Sequence, residues 1–195
     1  MRNSITEDFG NVTFVFLDRD GVINRKPPAG QYVTCWQEFE LLPGVEDAIA
    51  TLNRSGREAI VVTNQRGVAL GLYSLEDLAG MHEQLEKKLG ARGAHLAAIY
   101  VCPHDAGQCN CRKPLTGLFE QAFRDFPAAN AGNSVMVGDS LRDIEAGRRL
   151  GMRSVLVDDA VSASDEVQLA RSLAQLSVAS LAEFVHRYLC PEHPL

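Results

Sequence analysis

The stretch TFVFLDRDGVIN, Thr13 to Asn24, opens with the apolar run Phe14-Val15-Phe16-Leu17 and then sets Asp18, Arg19, Asp20 and Gly21 in succession. A short apolar run rich in aromatic and β-branched residues and bounded by Gly reads as a buried strand. Two acids one residue apart at the end of such a strand have two explanations. Asp and Gly favour turns, so the pair fits a solvated turn. The other reading is a reaction centre, and the rest of the chain has to decide.

Working outward, the strand is expected over Val12–Leu17. A helix follows over Gly44–Arg54, with Val45, Ala48, Ile49 and Leu52 on one face and Gly56 ending it. EAIVVT, Glu58–Thr63, reads as a second strand. Ser74, with Asp77 three residues on, forms a capping-box start for a helix running to about Leu89. AAIYVC, Ala97–Cys102, is the third strand, Gly117–Phe126 a helix, and SVMVG, Ser134–Gly138, the fourth strand. Leu141–Leu150 is a helix and Arg153–Val157 a fifth strand. The tail reads as helices over Asp165–Leu176 and Ser180–Leu189. Alternating strands and helices predict an α/β fold: a Rossmann-like parallel sheet with helices on both faces, a single domain over residues 1–195.

Composition narrows the function. With 195 residues and 46% hydrophobic content, the chain can bury a core and is not a disordered segment. Its net charge of -6 disfavours nucleic-acid and anionic-membrane partners. No apolar run approaches the ~20 residues of a membrane span, and MRNSITEDFGN has no signal-peptide core. The expectation is a cytoplasmic monomer whose five cysteines are metal ligands or free thiols rather than disulfides.

In open α/β sheets, ligands bind beyond the carboxyl ends of the strands. Asp18 and Asp20 follow the first strand; Thr63, Asn64 and Gln65 the second. CPHDAGQCNCRKP, which carries Lys113, follows the third, and Asp139 and Asp143 the fourth. Acids and a lysine gathered at one edge suit a divalent cation and a phosphate. Mg²⁺ takes few protein carboxylates, here Asp18 and Asp139, with the main-chain carbonyl of Asp20 as a third oxygen. An Asp of ordinary pKa, ~3.9, is ionised at neutral pH and can attack phosphorus without a base. Lys113 would screen the repulsion between carboxylate and phosphate. Asp20 would protonate the leaving alkoxide and then deprotonate the hydrolytic water. Thr63 would hold phosphoryl oxygens.

Taken singly, these residues have plainer readings. Thr63-Asn64 fits a helix cap, Lys113 a solvated surface charge, Asp139 an N-cap, and Asp143 an exposed partner for Arg142 or Arg148. It is their joint occurrence at the strand ends that favours chemistry.

Cys102, His104, Cys109 and Cys111, spaced C-x-H-x4-C-x-C, make a closed tetrahedral Cys₃His set for a structural Zn²⁺. Free thiols are the alternative, since a Cys109–Cys111 bridge would close a strained small ring. Cys35 and Cys190 have no such partners.

DRDGV, VVTNQ, CRKP and GDSLRD, in this order and spacing, resemble the motifs of the haloacid dehalogenase-like phosphatases, from Phe14 to about Asp158. The resemblance implies Asp18 as nucleophile, Asp20 as general acid/base, Thr63 and Lys113 as catalytic partners, Asp139 as Mg²⁺ ligand and Asp143 as its support. The CPH…CxCRKP loop and the absence of a large cap insertion resemble the subgroup of heptose 1,7-bisphosphate and histidinol-phosphate phosphatases. NQRGVALGLYS is similar to the heptose type. Hydrolysis of the heptose bisphosphate at C7 is then the implied reaction, with a histidinol-phosphate phosphatase as the alternative. A non-catalytic zinc-containing interaction domain is the alternative from another class. Gln31, Tyr32, Asn64, Gln65, Arg66 and Arg112 are the implied substrate contacts. The chain departs from the heptose pattern at Leu70, where Arg is usual, at Arg66, where a small residue is usual, and at Ala29, where an acid is usual. Arg25, Lys26, Arg66 and Arg112 nevertheless put cations on the recognition loops, as a sugar bisphosphate requires.

Overall fold

A computed structural model describes residues 9–158 and 164–190. The signal-peptide reading therefore rests largely on residues outside this range. The elements run β1 Phe14–Leu17, α1 Val45–Arg54, β2 Glu58–Asn64, α2 Leu75–Gly90, β3 Ala98–Cys102, α3 Gly117–Asp125, β4 Ser134–Gly138, α4 Leu141–Arg149, β5 Arg153–Val157, α5 Asp165–Leu173, β6 Leu176–Val178 and α6 Leu181–Phe184. A π-helical turn, Val185–Leu189, extends α6.

All strand pairs are parallel, in the order β3-β2-β1-β4-β5-β6. The Rossmann-like expectation is met. β1 is buried on both faces, which its unbroken apolar run demands. The pleat divides the run between two cores. Val15 and Leu17 join Val61 and Val137 beneath α1 and α2. Phe14 and Phe16 join Ile60, Val62 and Met136 beneath α3, where Phe16 packs on Phe119 and Phe123.

The local signals behave as expected. Gly56 takes φ +74 at the end of α1, and Ser74 and Asp77 form a reciprocal capping box on α2. The tail requires a correction. The helix expected over Asp165–Leu176 stops at Leu173, and Leu176–Val178 is a sixth strand. The chain there is captured by the edge of β5. Gln175 N donates to Ser154 O at 3.0 Å, and Ser154 N donates to Gln175 Oε1 at 2.6 Å. A three-residue strand carries too little periodicity to be read before its partner edge is in place. Among the described residues, no helix is long and apolar enough to cross a membrane.

Candidate active site

The strand order reverses direction between β1 and β4, and Asp18 sits at that point. Its N–H continues the ladder by donating to Val137 O at 2.9 Å. Such a switch point opens a crevice at the carboxyl ends of the strands. Lys113 enters it from the segment before α3. Its ammonium is 2.9 Å from Asp18 Oδ1 and 2.6 Å from Asp143 Oδ1, and it donates to Val62 O at 2.7 Å. The solvated-surface reading of Lys113 fails, because the residue is 2% exposed. Asn64 holds its main chain from both sides, accepting from Lys113 N at 3.0 Å and donating to Lys113 O at 3.1 Å. Asp143 is likewise no exposed helix residue. It is buried, and its other carboxylate oxygen accepts from Ser140 N and Oγ at the start of α4.

Asp20 lies in a separate network. Arg19, buried although charged, donates to Asp20 through Nε at 3.3 Å and Nη2 at 2.9 Å. Asn24 donates to Asp20 at 2.9 Å and Gln65 at 3.0 Å. Gln65 also donates to Thr63 Oγ1 at 2.9 Å and accepts from Tyr73 OH at 2.7 Å. The Arg19 guanidinium lies over the Phe39 ring at 5.4 Å and 3.5 Å from His82 Nε2. The sequence reading missed Arg19, Asn24, Tyr73 and His82 as site residues. No local signal marked Arg19: alternation sets it opposite Asp18, but both faces of β1 are buried, so its side alone does not place it. Thr63 shares a pleat face with Val61, and Gln65 and Asn64, not Thr63, line the cavity. Thr63 stands one layer behind.

Surroundings split the carboxyls. Burial pushes Asp18 up to about 7 against the pull of Lys113, with Asp143, Asp139 and Asp20 adding to the rise. The ordinary value assumed from sequence does not hold for the metal-free site. Burial and Asp143 push Asp139 up to about 6, although Lys26 opposes them. For Asp20, burial is outweighed by Arg19, Asn24 and Gln65, which hold it below its ordinary value.

Carboxylate oxygens of Asp18, Asp139 and Asp143 lie within 4.8 Å of one another. Asp143 is tied to Lys113 and Ser140, so Asp18 and Asp139 are the pair left for a cation. Two carboxylates beside an open cavity fit Mg²⁺, which keeps much of its water. The Asp20 side chain is turned into its own network, in keeping with a ligand role for its main-chain oxygen only. Gly21 is required here. Its φ is +89, and a Cβ would fall 2.2 Å from Asp139 Oδ2.

The crevice opens into a cavity of about 1000 Å³ that reaches from Asp18, Asp20 and Asp139 to Gln31, Tyr32, Arg66, Arg112 and Arg142. Residues 26–33 form one wall, which gives the long loop after β1 its place. The loop is closed at its base by the Asn24–Leu41 bridge and by Arg25 donating to both oxygens of Glu40, at 2.8 and 2.9 Å. That pairing holds Arg25 off the cavity lining, contrary to its expected place among the recognition cations. Arg66 is clasped by Asp105 through Nε at 2.6 Å and Nη2 at 3.1 Å. Arg112 makes only a long 3.4 Å bond to His104 O among its described hydrogen bonds.

The cysteine cluster is assembled. Cys102 Sγ lies 3.6 Å from Cys109 Sγ and 3.8 Å from His104 Nδ1, and Cys111 Sγ lies 3.4 Å from His104 Nδ1. Ligands bound at ~2.0–2.3 Å in a tetrahedron are separated by roughly 3.5–3.8 Å, which these three distances fit, and all four ligand atoms lie within 4.8 Å of one another. Burial of Cys109 is outweighed by donors from Cys111 and from the Cys111 and Arg112 main chain, which lower its thiol to about 7.

A family model described as HAD-hydrolase-like matches residues 110–184. The D-glycero-alpha-D-manno-heptose-1,7-bisphosphate 7-phosphatase of Mycobacterium bovis is 42% identical over 142 residues, 72% of this chain and 74% of that protein. The D-glycero-beta-D-manno-heptose-1,7-bisphosphate 7-phosphatase of Vibrio cholerae is 40% identical over 146 residues, 71% of this chain and 76% of that protein. The crystal structure of the D,D-heptose 1,7-bisphosphate phosphatase from B. bronchiseptica, complexed with magnesium and phosphate, superposes with a TM-score of 0.78 at 30% identity, covering 90% of this chain and 97% of that one.

A pH dependence of stability follows from the carboxyl values. Asp139 titrates at about 6 in the folded, metal-free protein against 3.8 for the free side chain. A raised carboxyl value favours folding most below pH ~4, and that contribution is lost as pH rises through the folded value. His82, lowered to about 4 by burial and Arg19, acts oppositely, its contribution being lost as pH falls below the ordinary 6.5. The informative comparison is therefore wild type against Asp139→Asn. In Mg²⁺-free buffer, urea midpoints at pH 5 and 7.5 should show a smaller loss of stability on going to pH 7.5 in Asp139→Asn. Equal losses in the two proteins would contradict the electrostatic account.

Proposed function

The chain belongs to the haloacid dehalogenase-like hydrolases as a phosphoric monoester hydrolase, and from that premise we propose that it removes the C7 phosphate of a heptose 1,7-bisphosphate through an aspartyl-phosphate on Asp18. The observation that carries the chemistry is the handling of Asp18. Both donors to it, Lys113 Nζ at 2.9 Å and Arg19 N at 2.7 Å, fall on Oδ1. We take Oδ2, the oxygen with no described donor, as the one that attacks phosphorus.

As the Asp18 Oδ2–P bond forms, the bond from phosphorus to the sugar oxygen breaks and that oxygen takes a proton from Asp20. Asp20 then removes a proton from water, whose oxygen attacks phosphorus. Cleavage of the Asp18–P bond releases phosphate and restores the carboxylate. Asp20 is held ionised in the free protein, which suits the second half. The arriving phosphoryl group's negative charge opposes Arg19 and raises the proton affinity of Asp20, which takes up a proton from solvent as substrate binds and gives it to the leaving oxygen in the first half. Asp18 and Asp139, with the main-chain carbonyl of Asp20, would hold Mg²⁺. That ion would neutralise phosphoryl charge and lower the Asp18 value. Lys113 keeps the nucleophile oriented, and Thr63 supports Gln65 and the phosphoryl-binding edge.

Substrate identity is supported by the relatives' names and by the cavity wall. With Arg66 clasped by Asp105, Arg112 and Arg142 line the cavity with donors to offer a second phosphate; we assign that role to Arg112, and the sugar hydroxyls to Gln31 and Tyr32 on the same wall. A small substrate rather than a polynucleotide fits the net charge of -6. We take the chain to act as one domain and as a monomer. Asp18→Asn should lose roughly a thousandfold or more of kcat while remaining folded. Arg112→Ala should lower kcat/KM for the bisphosphate about ten- to a hundredfold, the weight of a ~1.5–3 kcal/mol charge-assisted contact, but hardly affect a heptose 7-monophosphate. A near wild-type Asp18→Asn would refute the mechanism. Faster turnover of histidinol phosphate than of the bisphosphate, or loss on both sugar substrates in Arg112→Ala, would refute the substrate assignment.

We further read the Cys102–His104–Cys109–Cys111 set as a structural Zn²⁺ site that fixes the loop presenting Arg112 and Lys113. Metal analysis should find about one Zn²⁺ per chain. Its removal should lower the unfolding temperature and impair activity even with Mg²⁺ restored, because binding energy is part of folding energy. Zinc-free protein with all these thiols open to reagents and full activity would exclude it.

A further inference from the structure

Lys26 stands outside both the motifs and the mechanism, on the exposed loop after β1. Its ammonium nevertheless lies 2.7 Å from Asp139 Oδ2, across 113 residues of sequence. The pair is asymmetric. The lysine side chain is 56% exposed, whereas that of Asp139 is 12% exposed. A flexible stem thus carries a positive charge from solvent onto an acid fixed in the crevice.

The charge balance of the crevice explains why it comes. Asp18, Asp139 and Asp143 bring their oxygens within 4.8 Å of one another. The buried cation there, Lys113, is directed at Asp18 and Asp143 and makes no described bond to Asp139. The remaining carboxylate needs a counter-charge, and Gly21, on the other side, brings only main chain against Oδ2. Lys26 supplies it.

Resting on the reading of Asp18 and Asp139 as the Mg²⁺ ligands, we propose that Lys26 is a tethered counter-ion that occupies Asp139 in the metal-free protein and competes with Mg²⁺ for it. An ammonium in hydrogen-bond contact with a carboxylate oxygen and a divalent cation on the same carboxylate repel strongly at that range. Unlike Lys113, which is buried and stays on Asp18, Lys26 can withdraw along its exposed stem with little disturbance, so it is the cation that yields. Lys26 lines the cavity, so the displaced ammonium stays within reach of an anionic substrate. The metal-free crevice is thereby spared an uncompensated acid, and Mg²⁺ affinity is held below what the carboxylates alone would give.

The test is isothermal titration of Mg²⁺ alone into metal-free wild type, Lys26→Gln and Lys26→Arg, with the unfolding temperature followed in parallel. Lys26→Gln should bind Mg²⁺ roughly two- to fivefold more tightly, the scale of a half-exposed ion pair. Its Mg²⁺-induced rise in unfolding temperature should exceed that of wild type. Lys26→Arg, which keeps the charge, should stay near wild type. Unchanged or weaker binding in Lys26→Gln, or equal tightening in Lys26→Arg, would overturn the proposal while leaving the Mg²⁺ reading intact. Failure of wild type to bind Mg²⁺ at all, or undiminished binding in Asp139→Asn, would remove the reading on which it rests.

Discussion

The Lys113 ammonium is the point on which the site depends. A buried ammonium is strongly disfavoured unless its protons are satisfied and its charge is matched. Here a hydrogen bond to Val62 O on β2 is joined by ion pairs with Asp18 beyond β1 and Asp143 on α4. One group therefore ties together the ends of three separate elements. The arrangement also fixes which oxygen of Asp18 is occupied and which is available. Asn64 braces the lysine's main chain, so the register of β2 is transmitted directly to the ammonium.

Around that tie the protein shifts two acids, two residues apart, in opposite directions. Asp18 is pushed up by burial among other carboxyls, whereas Asp20 is held down by a guanidinium and two amides. The proposed Mg²⁺ would lower Asp18 and the bound phosphoryl charge would raise Asp20, which reverses this separation in the loaded site. The lowering of Asp20 rests on Arg19, whose charge is kept in the interior by Asp20 and by packing on the Phe39 face. Tyr73 and Gln65 extend the network to the loop before α2. The recognition side is built differently, from surface loops. Ion pairing there engages Arg66 and Arg25, and it leaves Arg112 and Arg142 on the cavity with donors to offer.

By itself the sequence determined the strand–helix alternation, the strand ends that carry acids and lysine, and the cysteine–histidine spacing. Each is a local signal: apolar runs, glycine punctuation and ligand spacing act within a few residues of chain. Tertiary structure alone decided β6, which exists because β5 offers it an edge. It turned Lys113 and Asp143 from plausible surface charges into a buried pair. It set Gln65 over the Thr63 hydroxyl, and it set Lys26 on Asp139. These outcomes depend on groups tens of residues apart meeting in a low-dielectric crevice, where solvation and partner geometry fix a side chain's role. No local pattern encodes that environment, because the environment exists only once the sheet has brought its strand ends together.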